Sequence, residues 1–343
     1  MEPVRYGIVG LGQVAMKGHI PELLRLPDIA IVAMCDPDES ARKRASQLVP
    51  DAHCYSDYDS LLQDPAVDVV LIATPNWLHK EQAVRAFQAG KHVFLEKPIG
   101  IDLDECDAIL EAWRQSGRLL QVGHELRHAH LMRAMHQKIR QGRIGQVQMI
   151  VVQEFRFPLL PGWRQTGKTG GVMLEKNSHF FDLFNWLAEA PPARVIATGG
   201  NNVNKDSPLI DHCVVTVEYQ NQVRATLLMC LFAEHGSQLT IDVVGDKGRL
   251  IAYAKDQRLV FYSREDPAPC EWSFEPGADG SFHMGFKTEH ESFLRSLREG
   301  APVVCSGPEA RETMRVALAA ERAVSEGTVV ERLDESHRGR AGQ

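Results

Sequence analysis

Short unbroken runs of apolar residues, each closed by glycine, proline or a carboxylate, mark the first third of the chain. Val4–Val9, Ile29–Cys35, Val67–Ala73, Val93–Leu95 and Leu119–Gly123 read as strands buried on both faces. Between them lie helical stretches: one that includes His19 and Leu23, one from about Lys80 to Ala89, and one from about Leu103 to Ser116. This strand–helix rhythm predicts an open parallel sheet with helices on its faces, a Rossmann-type domain over residues 1–125. From about Leu131 the rhythm changes. A helix to Gln141 and a turn at Gly142-Arg143-Ile144-Gly145 lead into Val147–Phe155. Strands of alternating character then dominate: Arg194–Thr198, Cys213–Tyr219, Gln222–Phe232, Gln238–Val244, Arg249–Tyr253 and Arg258–Tyr262. Turns at Gln220-Asn221 and Gly245-Asp246-Lys247-Gly248 suit antiparallel hairpins. Residues 126–335 are therefore expected to form an α+β domain with a large, open, mainly antiparallel sheet. It includes a helix with an Ala-rich face from Arg311 to Glu326, and the tail from Ser336 is expected to fray.

Composition sharpens this picture without changing it. A chain of 343 residues is too long for one ordinary core, which agrees with two domains. Apolar residues at 44% and charged residues at 24% match a globular enzyme rather than a disordered or repetitive chain. A net charge of −7 with no basic stripe argues against nucleic acid as a partner. Apolar runs such as Ala225–Ala233 fall short of the roughly 18 residues that a membrane span needs. Seven scattered cysteines make no disulfide framework, and the N-terminus enters a strand without a signal peptide, so a cytoplasmic location is expected.

The chemistry sits at strand ends. Gly10-Leu11-Gly12-Gln13-Val14-Ala15 is G-x-G-x-x-A between a strand and a helix. The first glycine permits the tight turn, the second lets backbone approach a pyrophosphate, and the small third residue lets helix and strand pack closely. The helix start offers N–H groups to the phosphates. Asp36 ends the next strand about 20 residues on, where a carboxylate accepts hydrogen bonds from an adenosine ribose and repels a 2′-phosphate. NAD is therefore expected over NADP, although Arg42, Lys43 and Arg44 lie nearby and temper the preference. Thr74-Pro75-Asn76 closes the third strand and offers polar groups to the cofactor. Glu96-Lys97-Pro98 closes the fourth, setting an acid and a base in the crevice at the carboxyl ends of the strands, where Pro98 biases Lys97 towards an extended conformation.

These motifs, in this order and spacing, resemble the glucose–fructose oxidoreductase and inositol dehydrogenase family (Gfo/Idh/MocA) over nearly the whole chain. The resemblance implies that Lys97 contacts substrate and assists catalysis, and that Thr74, Asn76, His79 and Glu96 contact the cofactor. It also implies that Arg164 joins the cofactor set with Gln13 and Val14, and that Arg127 and Trp163 lie near the substrate. A glycine- and proline-rich segment from Phe157 to Gly171 looks like a lid. Beyond it, Glu175, His179 and Asp182 fall at i, i+4 and i+7 of an expected helix running to Leu187, which would put them on one face. In the family the pattern after paired glycines is Asp-x-x-x-His-x-x-Asp, whose Asp and His bind substrate hydroxyls and carry the proton. Here Glu175 replaces the aspartate and Lys176 follows it, so substrate identity does not transfer.

The reading is an NAD-dependent oxidoreductase acting on a secondary alcohol of a sugar, polyol or glycoside. His179 removes the hydroxyl proton, Glu175 orients it and Lys97 stabilises the developing oxyanion; exchanged roles for Lys97 and His179 remain open. A variant of this chemistry keeps NAD bound and cleaves a glycoside by transient oxidation and elimination. A rival from another class is a zinc peptidase: His124-Glu125-Leu126-Arg127-His128 spells H-E-x-x-H, which on a helix could hold zinc. The segment follows a strand and Gly123 on the pattern of the preceding units, and five residues match by chance readily, so no metal is expected. The open sheet of the second domain needs a cover on its other face, and the resemblance implies pairing of subunits into a homodimer or homotetramer.

Overall fold

The computed structural model describes residues 2–159, 162–276, 284–327 and 330–333. In chain order it contains β1 (Val4–Val9), α1 (Ile20–Leu23), β2 (Ile29–Cys35), α2 (Glu39–Leu48), β3 (His53–Tyr55), α3 (Tyr58–Gln63) and β4 (Val69–Ile72). Then come α4 (His79–Gln88), β5 (His92–Glu96), α5 (Leu103–Ser116), β6 (Leu120–Gly123), α6 (His130–Arg140), β7 (Val147–Phe155), α7 (Val172–Glu175) and α8 (Ser178–Ala188). The rest of the chain forms β8 (Pro192–Gly200), β9 (His212–Tyr219), β10 (Arg224–Cys230), β11 (Gln238–Gly245), β12 (Gly248–Tyr253), β13 (Arg258–Ser263) and β14 (Cys270–Ser273). It closes with α9 (Phe286–Glu299), α10 (Gly307–Ser325) and β15 (Val330–Arg332). The expected tail from Ser336, and Leu160 and Pro161 of the expected lid, lie outside the described residues. Two compact units result: Met1–Glu125 with Gly285–Arg311, and Leu126–Met284 with Glu312–Gln343.

The first unit holds a six-stranded sheet in the order β3-β2-β1-β4-β5-β6, and every neighbouring pair is parallel. Helices cover both faces of such a sheet, which is why the strands are apolar throughout; all four residues of β4 are buried. The order reverses between β1 and β4, so the crevice for a ligand opens at the ends of those two strands. The helix after the glycine turn begins with a π-turn at Ala15–His19, where the Ile20 N–H reaches back to the Ala15 carbonyl. Pro21 follows at once and has no N–H to give, so the shift in bonding falls where the ladder is already interrupted. Residues 285–311 were expected in the second domain but cluster with the first. The reason is packing: Phe293 of α9 is buried in the core of Tyr6, Ile8 and Phe94, and Arg298 pairs with Asp28 at 2.6 Å.

The second unit is built on a nine-stranded sheet, β14-β13-β12-β11-β7-β10-β9-β8-β15. Its neighbours pair antiparallel except for β7 and β10. A parallel pair needs a crossover, and that connection carries α7 and α8. In β7 the residues Ile150, Val152 and Glu154 are buried, and α8 packs against β7 and β10. The opposite face shows Met149 and Val214 to solvent.

Candidate active site

In the first unit the glycine turn has the shape its sequence demands. Gly10 takes φ +86°, and a Cβ there would stand 2.7 Å from the Ala73 carbonyl, so only glycine lets β1 and β4 end this close together. At Gly12 a Cβ would meet nothing within 4 Å. That open space in front of a helix start could take a pyrophosphate, and Gln13 and Val14 are the first helical residues behind it. Ala15 is fully buried, as close helix–strand packing requires. Asp36 reaches over this turn: one carboxylate oxygen accepts from Leu11 N–H at 2.8 Å and the other from Asp38 N–H at 2.9 Å. Of the nearby cations, Arg42 binds the Asp36 and Pro37 carbonyls, Lys43 pairs with Glu39 and Arg44 donates to Ser40.

The end of β5 is braced from within. His79, 1% exposed, sits between two carbonyls, Nδ1 2.7 Å from that of Pro98 and Nε2 3.0 Å from that of Thr74, and its N–H donates to one of them when the ring is neutral, at the end of β4 and the turn that carries Lys97. Burial lowers its pKa against the pull of those carbonyls. Thr74 donates its hydroxyl to Gln82 at 2.6 Å, Asn76 is buried at the start of a single 3-10 turn, and the Lys97-Pro98 peptide is cis. Glu96 is 6% exposed, with Oε1 2.8 Å from His19 Nε2, and His19 Nδ1 lies 2.9 Å from His290 Nε2. With Glu96 as a carboxylate, hydrogen-bond roles follow: His19 Nε2–H donates to Glu96, and a neutral His19 accepts at Nδ1 from His290 Nε2–H. Gly123 makes room for this carboxylate, since a Cβ there would stand 2.8 Å from Glu96 Oε1.

In the second unit the residues beyond the paired glycines do not share one continuous helix. α7 ends at Glu175 and α8 begins at Ser178, so the expected single face holds only for His179 and Asp182, one turn apart on α8. The break sends neighbours to different partners. Glu175 accepts from Arg164 Nε at 3.1 Å, and Lys176 Nζ lies 2.8 Å from Glu154 Oε1. The Arg164 guanidinium also stacks 4.6 Å above the Trp163 ring. Arg127 Nε and Nη2 donate to the two oxygens of Asp182 at 2.7 Å each, with side chains 2% and 0% exposed. Gly170 and Gly171 take φ +80° and +100°, and a Cβ on Gly171 would fall onto the Glu321 carboxylate. Glu321 accepts from Met173 N–H at 3.1 Å and so holds the first turn of α7; burial keeps its carboxyl above the usual range.

The sequence profile described as "Oxidoreductase family, NAD-binding Rossmann fold" matches residues 4–124, and its "C-terminal alpha/beta domain" matches residues 136–331. The chain belongs to the Gfo/Idh/MocA oxidoreductase family. Among relatives, it is 28% identical to the inositol 2-dehydrogenase of Rhizobium meliloti over 94% of this chain and 97% of that one. It is 31% identical to the 1,5-anhydro-D-fructose reductase of Ensifer adhaerens over 72% of this chain and 75% of that one. Among solved structures, the aldose-aldose oxidoreductase of Caulobacter crescentus, complexed with glycerol, superposes with a TM-score of 0.83 at 22% identity, covering 97% of this chain and 100% of that one.

Within this Gfo/Idh/MocA chain, several site residues had no sequence signal strong enough to find them. His19 and His290 carry Glu96, and Glu154 and Glu321 hold Lys176 and α7. The helical spacing of Phe286, His290, Phe293 and Leu297 was available as a signal for α9. The zinc reading needs a helix through His124 and His128, whereas Glu125–His128 forms a single 3-10 turn and α6 begins only at His130.

Proposed function

We propose that the protein is an NAD-dependent dehydrogenase of a sugar, polyol or glycoside secondary alcohol. One observation carries the reading: behind the paired glycines a carboxylate and an imidazole are held with little exposure, Glu175 closing α7 at 5% and His179 in the first turn of α8 at 8%, beside Phe180 and Phe181. A carboxylate and an imidazole placed together in such a setting are the groups that recognise substrate hydroxyls and carry their protons, while Asp182 is held by Arg127. The nicotinamide, when bound, accepts or returns the hydride. His179 takes the hydroxyl proton, Glu175 orients the substrate, and Lys97, following Glu96 at the end of β5, stabilises charge on the oxygen. Gly10, Gly12, Gln13, Val14, Ala15, Asp36, Thr74, Asn76, His79 and Glu96 serve the cofactor, with Asp36 selecting NAD over NADP. Arg164 is reassigned here from cofactor to substrate-side positioning, because its partner is Glu175. The exposed face with Met149, Val214 and Tyr262 supports a homodimer or homotetramer through the large sheet, which light scattering measures directly.

The test is a panel of inositols, aldoses, sugar acids and glycosides scored for NADH formation. Replacing His179 or Lys97 with Ala should lower kcat on the best substrate by roughly a hundredfold or more, and the two losses should be far from additive. Near-normal turnover by His179→Ala would refute the assignment, and product release without free NADH would point instead to transient oxidation and elimination.

A further inference from the structure

We infer that the substrate is a polyhydroxy monocarboxylic acid, and that Lys176 and Arg156 select its carboxylate. The inference rests on the reading above, in which Glu175 and His179 face the substrate. Lys176 follows Glu175 directly, and its Nζ lies 2.8 Å from Glu154 Oε1 at the end of β7. Arg156, two residues beyond Glu154, brings Nη1 to 3.7 Å from the same oxygen, well outside the 2.7–2.9 Å of a strong charge-assisted bond. Two cationic heads therefore converge on one oxygen of one carboxylate. Among the described residues, Arg156 Nε and Glu154 Oε2 are both buried without a hydrogen-bond partner.

The Arg156 guanidinium lies 4.5 Å over the Phe157 ring and Lys176 Nζ 5.3 Å over the Phe180 ring, contacts that ease the two charges without supplying an anion, and the buried Glu321 carboxyl is held above its usual range. Arg164 is matched by Glu175, and Arg127 by Asp182. The group of Arg156, Lys176 and Glu154 carries one more positive than negative charge, and Lys176 follows in the chain the residue proposed to orient substrate. Lys176 and Arg156 side chains are 17% and 24% exposed, so each is largely withdrawn from water while its charge is shared. Partial exposure and the Phe157 ring offset some of the cost of a second cation there; an anion would complete the set, and a neutral polyol supplies none. A carboxylate does: it matches a single surplus charge, it offers the two oxygens that a guanidinium fork accepts, and Lys176 adds a point charge beside it. A phosphate monoester brings about two negative charges and overshoots that balance.

The experiment uses the full-length protein with NAD and matched pairs: glucuronate with glucose, galacturonate with galactose, gluconate with glucitol, and glucose 6-phosphate as the dianionic arm. The readout is the ratio of kcat/KM for the acid to that for its neutral partner. We expect a ratio of about ten or more, reduced roughly tenfold to a hundredfold by Lys176→Met or Arg156→Met, the range of a lost bond to a charged group, and partly restored by Lys176→Arg. Because Lys176→Met strands the buried Glu154, a second variant guards against misfolding. Glu154→Gln keeps both cations, removes the competing anion, and should raise the ratio. A neutral or phosphorylated sugar used better than the acid, a ratio unmoved by both cation variants, or a fall in Glu154→Gln would overturn the inference. Oxidation of neutral sugars alone removes it and leaves the dehydrogenase reading standing; no oxidation across the whole panel removes that reading first.

Discussion

Asp182→Asn is a severe single change in the second unit, and its size can be worked from the geometry. Asp182 and Arg127 form a two-bond fork at 2.7 Å, with side chains 0% and 2% exposed, and Thr313 Oγ1 stands 3.4 Å from Asp182 Oδ1. The amide keeps the volume but removes the charge, leaving a guanidinium in the interior opposite a neutral group. Breaking a buried pair in this way costs about 3–5 kcal/mol, because the remaining charge cannot regain its hydration. For a unit of 150–250 residues, where 1 kcal/mol moves Tm by about 2–4 °C, the expected drop is roughly 6–20 °C. Removing both partners with hydrophobic residues of similar size, Arg127→Met with Asp182→Leu, should recover most of it, since an apolar pair carries no stranded charge. Calorimetry of the wild type, the single variants and the double variant measures this cycle. The same four proteins assayed for turnover separate a brace from a substrate contact. A brace predicts that the double variant regains kcat along with stability; a substrate contact predicts stability without turnover. A loss below about 1 kcal/mol for Asp182→Asn would refute the reasoning outright.

Three further outcomes are expected. NAD(H) should bind more tightly than NADP(H), and Asp36→Ala should narrow the gap in a calorimetric titration; equal affinities in the wild type would remove Asp36 as the discriminator. His19→Ala should weaken NAD(H) roughly tenfold, the scale of one hydrogen bond to a charged group, while leaving the sugar KM at saturating NAD nearly constant. An unchanged Kd would mean that Glu96 needs no brace for cofactor binding. The purified protein should carry no stoichiometric zinc, and chelators should leave turnover intact; one zinc per chain lost together with activity would revive the peptidase reading of His124-Glu125-Leu126-Arg127-His128.

What the sequence made legible follows from the range over which each constraint acts. Parallel strands buried on both faces must be apolar throughout, so β1, β2, β4 and β5 announce themselves, and the glycine turn is dictated by contacts among residues adjacent to it. The fold class and the family were readable for that reason. Partnerships across long separations were not. Arg127 meets Asp182 across 55 residues, Met173 meets Glu321 across 148, and His19 meets His290 across 271. None leaves a periodic mark, because each requires only one polar residue on each side. The placement of α9 failed similarly: its apolar stripe shows that it packs, not that its partners are Tyr6 and Phe94 at the other end of the chain.

The break between α7 and α8 is the step at which a local rule gave way to tertiary contacts. A continuous helix would have carried Glu175, Lys176 and His179 in fixed rotation, 100° per residue, leaving Lys176 to whichever side the pitch dictated. Instead the first turn is fixed at its other end. Gly171 needs a positive φ, Glu321 occupies the space where its side chain would go, and the same carboxylate accepts from Met173 N–H. With α7 anchored there and α8 anchored by Arg127 on Asp182, the two residues between them, Lys176 and Asn177, absorb the mismatch. Asn177 turns inward with its amide on the sulfurs of Met173 and Met229, and Lys176 is released towards Glu154. The carboxylate that distinguishes this chain from the family pattern, and the lysine beside it, thus point to separate partners because the helix stops between them.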